Sequence, residues 1–212
     1  MKPSKVRKRT YKNKLKNNKP RSSRNRLKRK KRKISFVYEL KLFSVVLVTT
    51  LVAVLILFSL FYSLKIVSGY GMMPSLRDKD VLVVKRISDI KRFDIVFLNK
   101  KSKGEFRRII GLPGETIVFE DDILLVNHEP IDEKYLVDKI NENQAKGKNF
   151  TEDFDLFGLQ SLNEIPTGYY LVLGDNRPYT NDSRDYGLIS EDMIGGKAIM
   201  RLWPIERAEQ FF

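Results

Sequence analysis

Any chemistry in this sequence has to come from hydroxyl, amine, guanidinium or carboxylate side chains, because there is no cysteine. Without thiols there is neither a disulfide framework nor a thiolate metal site. No His, Asp or Glu cluster has metal-ligand spacing, so no metal and no cofactor are expected. The one histidine, His128, falls in a turn-forming Asn127-His128 pair and reads as surface decoration. Three stretches remain. Gly69-Tyr70-Gly71-Met72-Met73-Pro74-Ser75-Leu76 joins glycines, a proline and a hydroxyl. Arg107-Arg108-Ile109-Ile110-Gly111-Leu112-Pro113-Gly114-Glu115 sets two guanidiniums on an apolar run. Gly174-Asp175-Asn176-Arg177, with Thr180, Asp182-Ser183-Arg184 and Gly187 behind it, crowds opposite charges together. Asp175, Arg177, Asp182 and Arg184 could be acid–base groups, but such pairs on a tight loop are more often bracing ion pairs.

The elements that must position these stretches follow from an uneven charge distribution. Residues 1–33 hold 18 Lys and Arg and no Asp or Glu, whereas Ser35 to the end holds 22 basic and 26 acidic residues, a net of −4. A basic arm is thus joined to a mildly acidic body. Between Lys41 and Lys65 lie 23 uncharged residues, Leu42–Leu64. As a helix this run is ~34 Å long, against a hydrocarbon core of about 30 Å. A cleaved signal peptide is the rival reading, but its apolar core is normally about 7–15 residues. The expected organisation is a basic cytoplasmic arm over 1–40, disordered to roughly Lys33, a transmembrane anchor over 41–65, and an extracellular body over 66–212. The density of cations before the span sets that direction. Lipid headgroups account for the arm; a nucleic-acid partner is not expected, since Tyr11 is the only aromatic among the basic residues 1–33.

The body reads as antiparallel and mainly β. Apolar, β-branched runs recur at 81–84, 94–98, 108–110, 116–119, 123–126, 169–173 and 198–203, separated by turn signals such as Pro113-Gly114 and Gly174-Asp175-Asn176. Phe119 to Ile123 reads as a tight hairpin around Glu120-Asp121-Asp122. Residues 138–164, within a broader 135–165 region, are polar and read as an insertion or loop excursion.

The three stretches resemble the conserved boxes of bacterial type I signal peptidases. Gly69–Leu76 resembles the nucleophile box G-x-S-M-x-P-T-L, and Arg107–Glu115 is similar to the base-bearing box K-R-x-I-G-x-P-G-D. Arg92-Phe93-Asp94-Ile95-Val96 resembles the strand R-G-D-I-V between them. Gly174–Gly187 looks like G-D-N-R-x-x-S-x-D-S-R-x-x-G, with Thr180 where serine is usual. Arg201-Leu202-Trp203-Pro204-Ile205 is similar to the chain end of the short Gram-positive forms. The resemblance implies a signal-peptidase-type β fold behind one transmembrane helix, and removal of signal peptides after small residues at the outer membrane face.

The same resemblance implies that the chemistry fails. The family's nucleophile is a serine and its base a lysine kept neutral by burial. The corresponding positions here are Gly71, with no side chain, and Arg107, a guanidinium that proteins do not deprotonate. Ser68, Ser75, Thr180 and Ser183 are the candidate replacement hydroxyls, and Lys65, Lys85 and Lys91 the candidate amines; no motif brings them together. An active peptidase with a displaced nucleophile, or one working with an active partner, is the alternative. Strand-addition binding needs no catalytic residue, so a peptide-binding and oxyanion region at Gly69, Gly71, Met72 and Pro74 is expected to persist. Asp175, Asn176, Arg177, Thr180, Asp182, Ser183 and Arg184 form the structural box. Degenerate family members of this kind imply a chaperone-like role in export or sortase-dependent pilus assembly, with an exported polypeptide or pilin as client.

Overall fold

The computed structural model describes residues 21–86, 89–100 and 104–211, with side chains from residue 35 onward. Contacts group them into two units, one ending at Val54 and one beginning at Leu55. Helix α1 (Arg21–Phe61) contains a stretch, Ser35–Phe61, of 27 residues with mean hydropathy 2.7. It is long and apolar enough to cross a membrane, and none of it is buried, which separates it from a core helix of like composition.

Two expectations change here. Disorder was expected to Lys33, but the backbone is helical from Arg21; residues 1–20 lie outside the described residues. Lys and Arg are good helix formers, and a helix already nucleated downstream propagates through them readily. At the other end the helix stops at Phe61, and Tyr62–Ile66 form strand β1 instead of the last turn of the anchor. Pairing with β2 (Val81–Lys85), from Tyr62↔Lys85 to Ile66↔Val81, claims those backbone groups for a sheet.

The larger sheet continues with β3 (Ile95–Leu98) and β4 (Glu105–Gly111). A smaller one holds β5 (Ile117–Glu120), β6 (Ile123–Val126), β7 (Glu129–Ile131) and β8 (Phe154–Asp155). The chain then returns to the larger sheet as β9 (Tyr169–Leu173), β10 (Ile189–Ser190), β11 (Ile194–Trp203) and β12 (Glu209–Gln210). The strand orders are β1-β2-β11-β3-β4-β9-β10, with β12 on β11, and β7-β6-β5-β8; the pairings are antiparallel. The fold is therefore mainly antiparallel β, preceded by an apolar helix.

Alternation sorts the larger sheet's side chains between two cores. Ile95 and Phe97 of β3 join Leu82, Val84 and Phe106, while Val96 and Leu98 join Ile109, Tyr170 and Val172. A strand covered on both faces reads as a continuous apolar run, as Ile95–Leu98 does. The β5–β6 turn places Asp121 and Asp122 at φ 50° and 64°, the mirror-image turn geometry a two-residue hairpin favours.

The supposed excursion over 138–164 is a structured part of the smaller sheet. It contains α2 (Val137–Gln144), strand β8 and α3 (Leu156–Gln160), and it buries Phe150, Leu156 and, just beyond, Ile165. The Asp122 carboxylate accepts from the backbone N–H groups of Phe150 and Thr151 at 2.8 and 2.7 Å, tying this region to the hairpin. Its elements are short and touch the core one residue at a time, so no period betrays them.

Candidate peptide site

Met72 and Leu76 hold the Gly69–Leu76 segment in place, because both are buried among Val67, Leu82, Val84 and Phe97. Met72 thus anchors the segment from beneath. Gly69 adopts φ +82°, a conformation that suits glycine, and its N–H donates to Asp78 Oδ1 at 2.8 Å. Leu76 N–H closes the turn onto Met72 O at 2.8 Å, leaving Met73 and Pro74 exposed above it.

The far loop grips this segment by its backbone. Asn176 donates its N–H to Gly71 O (3.0 Å) and its Nδ2 to Tyr70 O (3.1 Å). Thr180 Oγ1 lies 2.9 Å from Gly71 O and 2.8 Å from Asn176 O. Among the described residues no group accepts from the Gly71 N–H. A Cβ on Gly71 would stand 3.2 Å from Thr180 Oγ1 and Cγ2 and 3.6 Å from Arg107 Nη1. The vacant side-chain position, the guanidinium and the hydroxyl therefore converge on one point.

Arg107 is held there by four contacts. Its Nε and Nη2 donate to Asn181 O at 3.2 and 2.6 Å, Nη1 donates to Phe106 O at 2.6 Å, and Nη2 pairs with Glu105 at 3.0 Å. A guanidinium offers donors and no lone pair, so this arrangement can orient or neutralise but cannot take a proton. Glu105 went unnoticed in the sequence. The signal was its position two residues before Arg107 on one strand, which puts both side chains on one face.

Around this point the charges are braced by burial. Arg108, on the opposite face of β4 from Arg107, donates to Asp175 through Nε at 2.8 Å and stacks over Tyr135 at 3.8 Å. Burial, the largest single influence, would lower the Arg108 pKa, but the charge and hydrogen bond of Asp175 with Tyr135 together turn the net direction upward. Arg177, fully buried, donates to Glu133 (Nη1 at 3.0 Å), Thr151 Oγ1 (2.9 Å) and Gly174 O (3.0 Å). Glu133 lies 44 residues away and carries no local sequence signal. Asp182 caps α4 (Ser183–Tyr186), pairs with Arg184 at 2.9 Å and accepts from Gly174 N–H at 3.0 Å. Ser183 Oγ accepts from Val172 N–H at 2.9 Å.

Of the proposed substitutes Thr180 stands at the Gly71 point, its hydroxyl held between two carbonyl oxygens, and the others are dispersed. Ser75 Oγ accepts from Arg108 Nη2 at 3.1 Å, and Lys65 Nζ sits 4.5 Å over the Phe97 ring. Ser68, Lys85 and Lys91 are exposed, and His128 lies in the exposed β6–β7 turn. No group of three or more metal-ligating side chains converges among the described residues.

Comparison with known proteins fits this geometry. The family described as Signal peptidase, peptidase S26 matches residues 40–203. The chain belongs to that family. Signal peptidase I of Bacillus caldolyticus is 36% identical over 151 residues, covering 69% of this chain and 82% of its own length. Signal peptidase I of Streptococcus pneumoniae serotype 4 is 34% identical over 178 residues, covering 71% and 87%. A crystal structure of signal peptidase I from Enterococcus faecalis V583 shares 38% identity and covers 52% of this chain and 97% of that one, with a TM-score of 0.48. Membership in the signal peptidase family and the exposed apolar helix together support a membrane-anchored protein whose relatives process signal peptides.

Proposed function

We infer that this chain is a membrane-anchored signal peptidase homologue that holds an extended exported segment without hydrolysing it. The observation that carries this reading is the convergence at Gly71. The place of the nucleophile is a bare Cα, and 3.6 Å from its missing Cβ stands Nη1 of Arg107, a guanidinium held by carbonyl oxygens and Glu105 that offers donors but no lone pair. Hydrolysis needs a hydroxyl and a proton acceptor at that point. Binding needs only backbone donors and acceptors, and the unpaired Gly71 N–H supports it as an oxyanion-type donor. The 18 cations ahead of the apolar stretch support a cytoplasmic N-terminus and an extracellular body.

The narrower reading is a chaperone-like factor for sortase-dependent pilus assembly, with a pilin as client. It rests on the likeness to degenerate Gram-positive family members. Loss of the chain would then abolish pilus polymers while leaving preprotein processing intact.

The full chain in lipid, given a preprotein whose signal ends in Ala-X-Ala, is expected to bind it and release no mature product. Turnover that disappears in Ser68→Ala or Ser75→Ala would instead establish an active peptidase with a displaced nucleophile.

A further inference from the structure

A cleft of about 530 Å³ opens beside the Gly71 site, between the Met73–Pro74 turn and helix α2. Asn176, which grips Gly71 O and Tyr70 O, also lines it, so the cleft continues directly from the vacated position. Tyr179, 85% exposed, and Met73 offer apolar surface at the rim, and buried Phe150 forms part of the wall. The remaining character is electrostatic. Lys139, Lys146 and Lys148 line the cleft with one acidic residue, Glu142. Between Glu129 and Glu164 the chain has four basic and nine acidic residues, yet three of those four bases face this space.

Glu142 does not cancel the surplus. It bridges Lys139 at 2.6 Å and Lys146 at 2.8 Å, and their hydrogen bonds and charges hold its carboxyl down to about 2. One ammonium has three donors, so each bridged lysine keeps donors free. Lys148 has no ion pair among the described residues. The helix that carries Lys139 and Glu142 buries none of its residues. It contributes little packing to the fold, and its exposed charges are available to a ligand.

We propose that this cleft is a second recognition site, selecting client segments that carry Asp or Glu side chains next to the stretch held at Gly71. This deepens the peptide-holding reading and rests on it. Charge complementarity gives the occupant: an extended acidic peptide, its carboxylates on the lysine donors and its backbone continuing to the Gly71 site. Because the pairs are exposed, the discrimination is modest and salt-sensitive.

Fluorescence anisotropy on the full chain in neutral-lipid nanodiscs tests this with labelled peptides. Each contains Ala-Gln-Ala, flanked before or after by alternating Glu and Ser, by Gln and Ser, or by Lys and Ser. At least one Glu peptide is expected to bind about fivefold tighter than its Gln counterpart, the scale of two exposed ion pairs, and the Lys peptide weaker than both. Lys146→Gln/Lys148→Gln should bring the Glu peptide to the level of the Gln peptide, with the Gln peptide itself unchanged. Glu142→Gln should strengthen Glu-peptide binding, a gain that misfolding cannot mimic. Equal affinities for Glu and Gln peptides, or a preference that survives the double lysine change, overturn the acidic-client site while leaving peptide holding intact. Failure of every peptide to bind removes both readings. Loss of the preference on adding phosphatidylglycerol vesicles, with direct vesicle binding through the same lysines, would reassign the cleft to a lipid headgroup.

Discussion

Thr180 bears directly on the proposed absence of chemistry at Gly71. Its hydroxyl is held between Gly71 O and Asn176 O, so its methyl cannot rotate away without giving up both contacts. That methyl lies 3.2 Å from where a Gly71 Cβ would stand. The two positions are coupled: a side chain built on Gly71 would crowd the Thr180 methyl. Restoring Gly71→Ser with Arg107→Lys is therefore expected to give little product, and adding Thr180→Ser should raise it roughly tenfold by relieving about 1–2 kcal/mol of overpacking. Cleavage of an Ala-X-Ala preprotein measures this; an unchanged rate in the triple variant would show that the methyl is no obstacle. The bracing pairs respond differently. Glu133→Ala leaves Arg177 buried without its carboxylate and should cost about 3–5 kcal/mol by chemical unfolding, whereas the exposed Glu142→Gln should leave the unfolding midpoint nearly unchanged.

At the scale of elements, the Gly71 segment is located by what grips it, not by its own regularity. The β9 strand ends at Leu173, and Gly174 lets the chain pass so close that a Cβ there would stand 2.2 Å from Thr180 Cγ2 and 2.6 Å from Gly71 O. Backbone cannot yield as a flexible side chain can. Gly174→Ala should displace the Gly71 segment, lower stability by about 1–3 kcal/mol, and weaken binding of the Glu and Gln peptides alike, the opposite of what Glu142→Gln does to the Glu peptide. Thermal unfolding and the anisotropy assay read the two effects separately. The polar 138–164 region belongs to the same mechanical unit, because Thr151 bonds Arg177 at 2.9 Å and Asp122 holds the Phe150 and Thr151 backbone.

For the molecule as a whole, half-buried phenols tie stability to alkaline pH. Burial, reinforced by Glu133, pushes the Tyr135 hydroxyl well above its usual range. Burial also raises Tyr186, with Arg107 opposing and Glu105 reinforcing. Raised folded-state values mean that the unfolded chain loses these protons first. Stability from this source is fully present below about pH 10 and falls as pH climbs above it. Unfolding temperatures should therefore decline steeply above about pH 10, and Tyr135→Phe should flatten part of that decline. Tyrosinate absorbance should show these phenols titrating after the exposed ones.

Much of this protein is determined by local sequence. The apolar run before Phe61, the strands at 81–84, 94–98 and 123–126, and the Asp121-Asp122 turn are each specified by neighbours a few residues apart. Their periodicity and turn chemistry act within single elements. The proposed absence of a nucleophile and a base is equally local, since it rests on the residue types at Gly71 and Arg107 alone. What only the tertiary structure decided involves partners far apart in the chain. Glu133 on Arg177, Asn181 O on Arg107 and the Thr180 methyl over Gly71 bring together groups 44, 74 and 109 residues apart. The strand β1 carved from the expected anchor and the ordered 138–164 region likewise follow from backbone pairing and sparse burial. Periodicity reports a face that repeats; it is silent on a single carboxylate, carbonyl or methyl that meets its partner only when the sheets close.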